Sequence, residues 1–252
     1  MSGNTERFTG RVAEYEQYRE RYDPGVILPR LREWCGLTPE WVVADIGAGT
    51  GMLSDVFLAN GNRVIAVEPN VEMRAACERR YVGEPRLRVV DGTAEMTTLP
   101  DASVEMVSAG RALHWFDLER AMAEFRRILK PGGWVVVVAL GRAEDGREEN
   151  EAFARAMEEL LPERYRKQSY AVYDELKAMF PGGEFHHEEI RGEIQLDWRS
   201  LLGMTISMSH APLPDDARYP EFERKLRAYF KRFEKDGVVA LATRCWIDAG
   251  RF

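Results

Sequence analysis

The 252-residue sequence has no run of about 18 apolar residues, the length a membrane-crossing helix needs, so no transmembrane helix is expected. Its opening, Met-Ser-Gly-Asn-Thr-Glu-Arg-Phe, is polar and lacks the apolar core of a secretory leader, which predicts a cytoplasmic protein. Cysteine is scarce. Cys35, Cys77 and Cys245 are odd in number, far apart and in no metal-ligand spacing, so they read as reduced thiols and no metal site is expected. Basic excess is missing too: the net charge of -7 argues against a nucleic-acid partner, which needs a basic face. No internal repeat and no low-complexity segment interrupts the chain. No Gly-Lys-Ser/Thr follows its glycines, which excludes a P-loop.

What is present is core-forming material, with 45% hydrophobic and 31% charged residues, enough for one α/β domain with an embellishment or small cap. The chain is organised around Trp41-Val42-Val43-Ala44-Asp45-Ile46-Gly47-Ala48-Gly49-Thr50-Gly51. An apolar run of strand length meets a tight glycine turn. Beyond it, Leu53, Val56, Phe57 and Met52 mark one face of a helix. Strand, glycine turn and helix form the first unit of a doubly wound sheet, whose ligand lies beyond the strand's carboxyl end. A dinucleotide fingerprint would put a third glycine where Met52 stands; here it falls at Gly51, which disfavours an NAD-dependent oxidoreductase. Asp45, at the strand's end, would repel a pyrophosphate and suits a cationic group.

Residues 5–22 read as a helix with Phe8, Tyr15, Tyr18 and Tyr22 at near-heptad spacing, either packing on the core or forming a lid whose tyrosines and Arg19 reach a cofactor carboxylate. Residues 26–34 form a second helix. Arg63–Val67 is a buried strand ending on Glu68, about 20 residues beyond the first glycines, where Rossmann-like folds hold ribose hydroxyls. Pro69 follows, Asn70 caps the next helix, and Met73 on its first turn packs or lies against an adenine face. A third strand, Arg86–Val90, leads into Asp91-Gly92-Thr93-Ala94-Glu95, where a carboxylate can accept from an exocyclic amine. A fourth, Val104–Ala109, leads into Gly110-Arg111-Ala112-Leu113-His114-Trp115-Phe116. An amphipathic helix then stops at Lys130-Pro131-Gly132-Gly133, and Trp134–Leu140 is a strand buried on both faces.

The succession D-x-G-x-G-x-G, V-E-P-N, D-G-T-A-E, A-L-H-W-F and L-K-P-G-G-W resembles the small-molecule class I S-adenosylmethionine-dependent methyltransferases. Its F-x-G-R-V-x-x-Y-x-x-Y-R start and H-W-F segment resemble the branch containing the trans-aconitate and malonyl-carrier-protein methyltransferases. The likeness covers about residues 5–140. It implies a Rossmann-like, mostly parallel, seven-stranded sheet with an antiparallel last strand and a helical cap. It further implies that Asp45 and Gly47 to Gly51, with Ala48 and Thr50 between the glycines, shape a methionine pocket. By the same likeness Glu68 holds the ribose, Asp91 with Ala94 and Glu95 frames the adenine, and Tyr15, Tyr18 and Arg19 close over the cofactor. The implied cofactor is S-adenosylmethionine and the implied acceptor a small molecule.

Three regions follow: residues 1–140 as N-terminal helices and cofactor core, 141–235 as cap with a strand near 186–196, and 237–252 as closing strand. Gly141–Asn150 reads as a solvated connector, Glu151–Leu161 and Pro220–Phe233 as helices, and the stretch around Tyr170 and Tyr173 as a short helix. Methyl transfer from a sulfonium needs positioning in a dry pocket more than a catalytic triad. Arg111, His114 and Trp115 are the candidates for the reacting end: His114 as a base for a hydroxyl or amine, or as a structural histidine; Arg111 as the group that orients a carboxylate. His210 is a weaker candidate on the cap. A module that holds the cofactor without turning it over is the competing reading.

Overall fold

A computed structural model of the protein describes residues 12–143, 146–160, 175–208 and 211–252. Phe8, His210, Tyr170 and Tyr173 lie outside the described residues. The chain opens with α1 (Val12–Tyr18) and α2 (Pro24–Cys35), then β1 (Val42–Ile46), α3 (Ser54–Asn60), β2 (Arg63–Val67), α4 (Val71–Arg80), β3 (Leu87–Val90) and β4 (Val104–Gly110). There follow α5 (Leu118–Ile128), β5 (Leu129–Arg142), α6 (Glu148–Leu160), β6 (Glu184–Leu196), α7 (Trp198–Ile206), α8 (Tyr219–Phe233) and β7 (Val239–Arg251). The helix starts follow capping chemistry. Asp23 accepts from the Gly25 amide with Pro24 at the first helical turn, and Asn70 and Asp117 cap α4 and α5 the same way.

The seven strands form one sheet in the order β3-β2-β1-β4-β5-β7-β6. The pairings among β3, β2, β1, β4 and β5 are parallel; β7 runs antiparallel between β5 and β6. Strand order therefore reverses between β1 and β4. In an open α/β sheet the ligand crevice lies outside the carboxyl ends of the strands at that reversal. Two apolar layers flank the sheet, one with Ile27, Leu31 and Phe57 from α2 and α3, the other with Met122, Phe125 and Ile128 from α5. A third cluster, with Phe153, Leu201, Phe222 and Leu226, joins α6, α7 and α8 to the near ends of β6 and β7. That cluster is the helical cap.

Three local features differ from the sequence expectation. The Lys130-Pro131-Gly132-Gly133 stretch bulges out within the β4–β5 pairing, since Leu129 pairs with Val104 and Trp134 already with Met106. Gly132 turns this bulge at φ 77°. The connector after β5 is not solvated throughout: Asn150 is buried, donates to the Ala143 and Ala242 carbonyls and accepts from the Ala242 amide. A single amide side chain there satisfies three backbone groups at the strand end. Finally, α1 ends at Tyr18 rather than continuing to residue 22.

Candidate functional site

The turn after β1 occupies the strand-order reversal. Gly47, Gly49 and Gly51 have φ of 65°, 59° and 84°, the left-handed region that costs other residues about 1–2 kcal/mol. Three glycines are needed for different reasons. A Cβ on Gly47 would lie 2.8 Å from the Ala112 Cβ, and one on Gly51 would lie 2.5 Å from the Tyr81 ring. A Cβ on Gly49 would meet nothing within 4 Å among the described residues. The turn is thus packed at both ends and open in the middle. The Gly47 and Ala48 amides donate to the Val67 carbonyl, and the Gly51 amide closes on Ala48 at 2.9 Å. The Thr50 hydroxyl is buried here without a partner among the described residues, a polar atom still to be satisfied at the cradle.

Two carboxylates frame the turn. Asp45 is fully buried; Ser54 and Ser108 donate hydroxyls to its oxygens at 2.7 and 3.2 Å. Burial pushes its carboxyl up to about 7, against the pull of those two hydroxyls. Glu68 accepts from the Gly49 amide and the Asn70 amide, both at 2.8 Å, so it clips the glycine turn to the start of α4. Burial also raises the Glu68 carboxyl above its ordinary value, opposed by those two amides. Arg74 lies near Glu68, whereas among the described residues no cation acts on Asp45, and two enclosed carboxyls so placed favour an incoming positive charge.

The other sequence-predicted residues spread around this centre. Arg74 donates to the Glu68 and Pro69 carbonyls and reaches the exposed Asp91 at 3.2 Å, while Met73 is buried in the first turn of α4. Thr93 and Met96 exchange two backbone bonds, which turns Ala94 into the core and lets the Glu95 carboxylate accept from the Asp117 amide. Gly92 sits where a Cβ would lie 2.8 Å from the Thr97 carbonyl. At the end of β4, a Cβ on Gly110 would lie 2.7 Å from the Tyr22 hydroxyl, and Arg111 takes a left-handed φ of 52°. Its guanidinium donates to the Tyr22 hydroxyl and the Glu20 carbonyl. His114 and Trp115 sit half-buried on a short 3-10 turn, their rings 4.6 Å apart.

The aromatic helix α1 divides its side chains. Tyr15 packs toward the α2/α3 layer with the Arg19 guanidinium 5.7 Å above its ring. Tyr18 goes to the cap: its ring lies on Gly203 of α7, and Arg199 donates to its hydroxyl at 2.9 Å. Between them, Glu20 accepts two hydrogen bonds from Nη1 of Arg142, at 2.9 and 3.0 Å, from the end of β5. The strap of α1 and residues 19–23 is therefore anchored by Arg111, Arg142 and Gly203, of which only Arg111 stood out in the sequence. A Cβ on Gly203 would lie 2.3 Å from the Tyr18 ring. Gly203→Ala is expected to displace α1 from the cap and raise proteolytic cleavage near residues 12–20, with Tm lowered by about 3–8 °C; limited proteolysis with and without S-adenosylhomocysteine checks this.

An open doubly wound sheet with a three-glycine turn at its reversal point, and an acid capping the second strand, defines a nucleoside-cofactor domain of Rossmann-like type. The comparisons narrow this. Residues 44–137 match the family described as a methyltransferase domain. An uncharacterized methyltransferase of Mycobacterium tuberculosis is 35% identical over 154 residues, 61% of this chain and 58% of that protein. One from Schizosaccharomyces pombe is 28% identical over 190 residues, 73% and 69% of the two chains. The chain thus spans 58% of the length of the mycobacterial relative. A putative type II methyltransferase from Anaeromyxobacter dehalogenans shares the fold with a TM-score of 0.65 at 26% identity, covering 93% of this chain and 98% of that one. The YcgJ protein of Bacillus subtilis shares the fold alone, with a TM-score of 0.59 at 21% identity over 89% of this chain and 97% of its own. The chain carries a class I S-adenosylmethionine-dependent methyltransferase domain, and S-adenosylmethionine is the cofactor of that domain. The residues present fit it: an open Gly49, an unsatisfied Thr50 hydroxyl, and two enclosed carboxylates for a cationic, hydroxyl-bearing ligand.

Proposed function

We propose that the protein transfers a methyl group from S-adenosylmethionine to oxygen of a small-molecule acceptor, a carboxylate or a hydroxyl. The observation that carries this reading is the glycine turn at the sheet's reversal point, open only at Gly49 and clipped by Glu68. The bound cofactor supplies a methyl group activated by a sulfonium. The chain's own part is to hold and enclose. Gly47–Gly51, Asp45 and Glu68 would hold the cofactor, with Asp91, Ala94 and Glu95 at its base end and Tyr15 and Arg19 above it. The strap, tied to β4 by Arg111 and to β5 by the Glu20–Arg142 pair, keeps water out. The acceptor would enter between the strap and the cap, in the region of residues 141–235, with β7 running between β5 and the edge strand β6.

His114 and Trp115 stand at the reacting end, just beyond β4. For a hydroxyl acceptor His114 would take the proton; a carboxylate acceptor has none to lose. His114→Ala is therefore expected to lower kcat about 100-fold on a phenol or alcohol, leaving the Kd for S-adenosylhomocysteine within about twofold. Equal kcat in both proteins would remove the base role. Cys35, Cys77 and Cys245 carry free thiols, which supports a reducing, cytoplasmic setting. The net charge of -7 supports a partner other than nucleic acid, and among the described residues no helix is long and apolar enough to cross a membrane. The test is a methyl-transfer screen over carboxylic acids, phenols and amines, read as S-adenosylhomocysteine release. Turnover confined to amines would contradict the O-methylation reading.

A further inference from the structure

We propose that Tyr81, at the C-terminal end of α4, is a positioning residue that fixes the glycine turn in its cofactor-receiving shape through its phenolic hydroxyl. This rests on the reading of the turn as the cofactor cradle. The argument starts at Gly51, whose two peptide groups are both held. Its amide closes the turn on the Ala48 carbonyl, and its carbonyl accepts from the Asp55 amide at the start of α3 and from the Tyr81 hydroxyl at 2.6 Å. The Tyr81 ring lies directly against the Gly51 α-carbon, which is why a Cβ there would sit 2.5 Å from it. Glycine ranges widely over backbone conformations, so a three-glycine turn has little stiffness of its own. The ring removes the space into which Gly51 could swing, and the hydroxyl pins the direction of its carbonyl.

The hydroxyl has one hydrogen and two acceptors, because the Asp55 carboxylate also lies 2.6 Å away. Asp55 has a second partner of its own: the Arg80 guanidinium is paired with it. Arg80 engages the Oδ2 oxygen of Asp55 and Tyr81 faces Oδ1, so the phenolic hydrogen is shared between that carboxylate oxygen and the Gly51 carbonyl. Burial, then the neighbouring carboxylate, pushes the phenol's ionisation upward, so the group stays a donor across the physiological range. Arg80 and Asp55 therefore hold the Tyr81 hydroxyl in place within hydrogen-bond reach of one backbone oxygen of the cradle.

A simpler role would be to link α3 to α4 through Asp55, with no bearing on the turn. Two variants separate the roles, with S-adenosylhomocysteine as the titrated probe on the full chain. Tyr81→Phe keeps the ring and removes the hydroxyl; Asp55→Asn keeps an acceptor for the tyrosine but breaks the Arg80 pair. The expected result is about tenfold weaker S-adenosylhomocysteine binding in Tyr81→Phe and less than threefold in Asp55→Asn. In Tyr81→Phe the KM for S-adenosylmethionine should rise about tenfold with kcat within twofold, and amide exchange should quicken over residues 47–53 but not over α4. Wild-type affinity in Tyr81→Phe would overturn the proposal, and so would equal weakening in both variants, which would assign the effect to the α3–α4 link. Absence of binding in the wild type would instead overturn the cofactor reading on which the proposal stands.

Discussion

Gly51→Ala is expected to weaken S-adenosylhomocysteine binding about 100-fold and to lower the unfolding midpoint by about 5–15 °C. Two costs add. The left-handed φ of 84° costs an alanine about 1–2 kcal/mol. The methyl group would also sit 2.5 Å from the Tyr81 ring, and relieving such overpacking costs about 1–3 kcal/mol. At about 2–4 °C per kcal/mol for a chain of this size, the sum gives the expected shift. Binding suffers along with stability because the ring and the turn must part, and the parted turn is the cradle. Gly49→Ala is the informative contrast. Its φ of 59° carries the same backbone cost, but its Cβ would meet no atom of the described residues, so Tm should fall by only about 2–6 °C while affinity is lost as fully. Thermal melts and calorimetric titrations of the two variants side by side check both halves. A Gly49→Ala protein that binds normally would show that the open side of the turn does not face the ligand.

The second large effect concerns Asp45. Asp45→Asn is expected to stabilise the free protein at pH 8 while weakening S-adenosylmethionine binding about tenfold. The carboxyl is buried without a cationic partner among the described residues, and its native value of about 7 lies above the ordinary 3.8. Between those values the native state holds a proton that the unfolded state has released, so stability falls as pH rises through the window. Below about pH 4 the contribution is fully present; above about 7 it is lost and wild type carries an uncompensated buried charge. Asparagine preserves the shape and can use both serine hydroxyls without that charge. Its advantage in Tm should thus be near zero at pH 4.5 and about 4–8 °C at pH 8, for a gain on the order of 2 kcal/mol. The same missing charge should cost binding of the sulfonium cofactor more than binding of its neutral thioether product. A stability difference that does not change with pH would remove Asp45 as the titrating group. Equal losses for cofactor and product would remove its electrostatic role.

The centre of this site was legible because its information is local. A short apolar run ending on an acid and followed by three glycines can be little else than a strand entering a left-handed turn, and β1 and Gly47–Gly51 are found there. Glu68 was legible for the same reason, as an acid closing the next apolar run. The strap and the clamp were not. Glu20 meets Arg142 across 122 positions and Tyr81 meets Gly51 across 30, and neither pairing leaves a periodic trace in the chain. Tyr18 shows the limit most clearly. Its place in the aromatic stripe was visible, but its partner, Gly203, lies on a helix whose packing only the tertiary fold decides. The bulge at Lys130–Gly133 was hidden in another way: Pro-Gly-Gly signals a break, and the strand resumes its pairing on the far side.

Everything rests on the carboxylate-framed turn receiving an adenosyl sulfur compound, and titration calorimetry of the wild-type chain with S-adenosylhomocysteine and, separately, with NAD tests that most directly. One equivalent of S-adenosylhomocysteine should bind with a micromolar or tighter Kd, and NAD should give no saturable heat. Saturable NAD binding with none for S-adenosylhomocysteine would contradict the assignment outright.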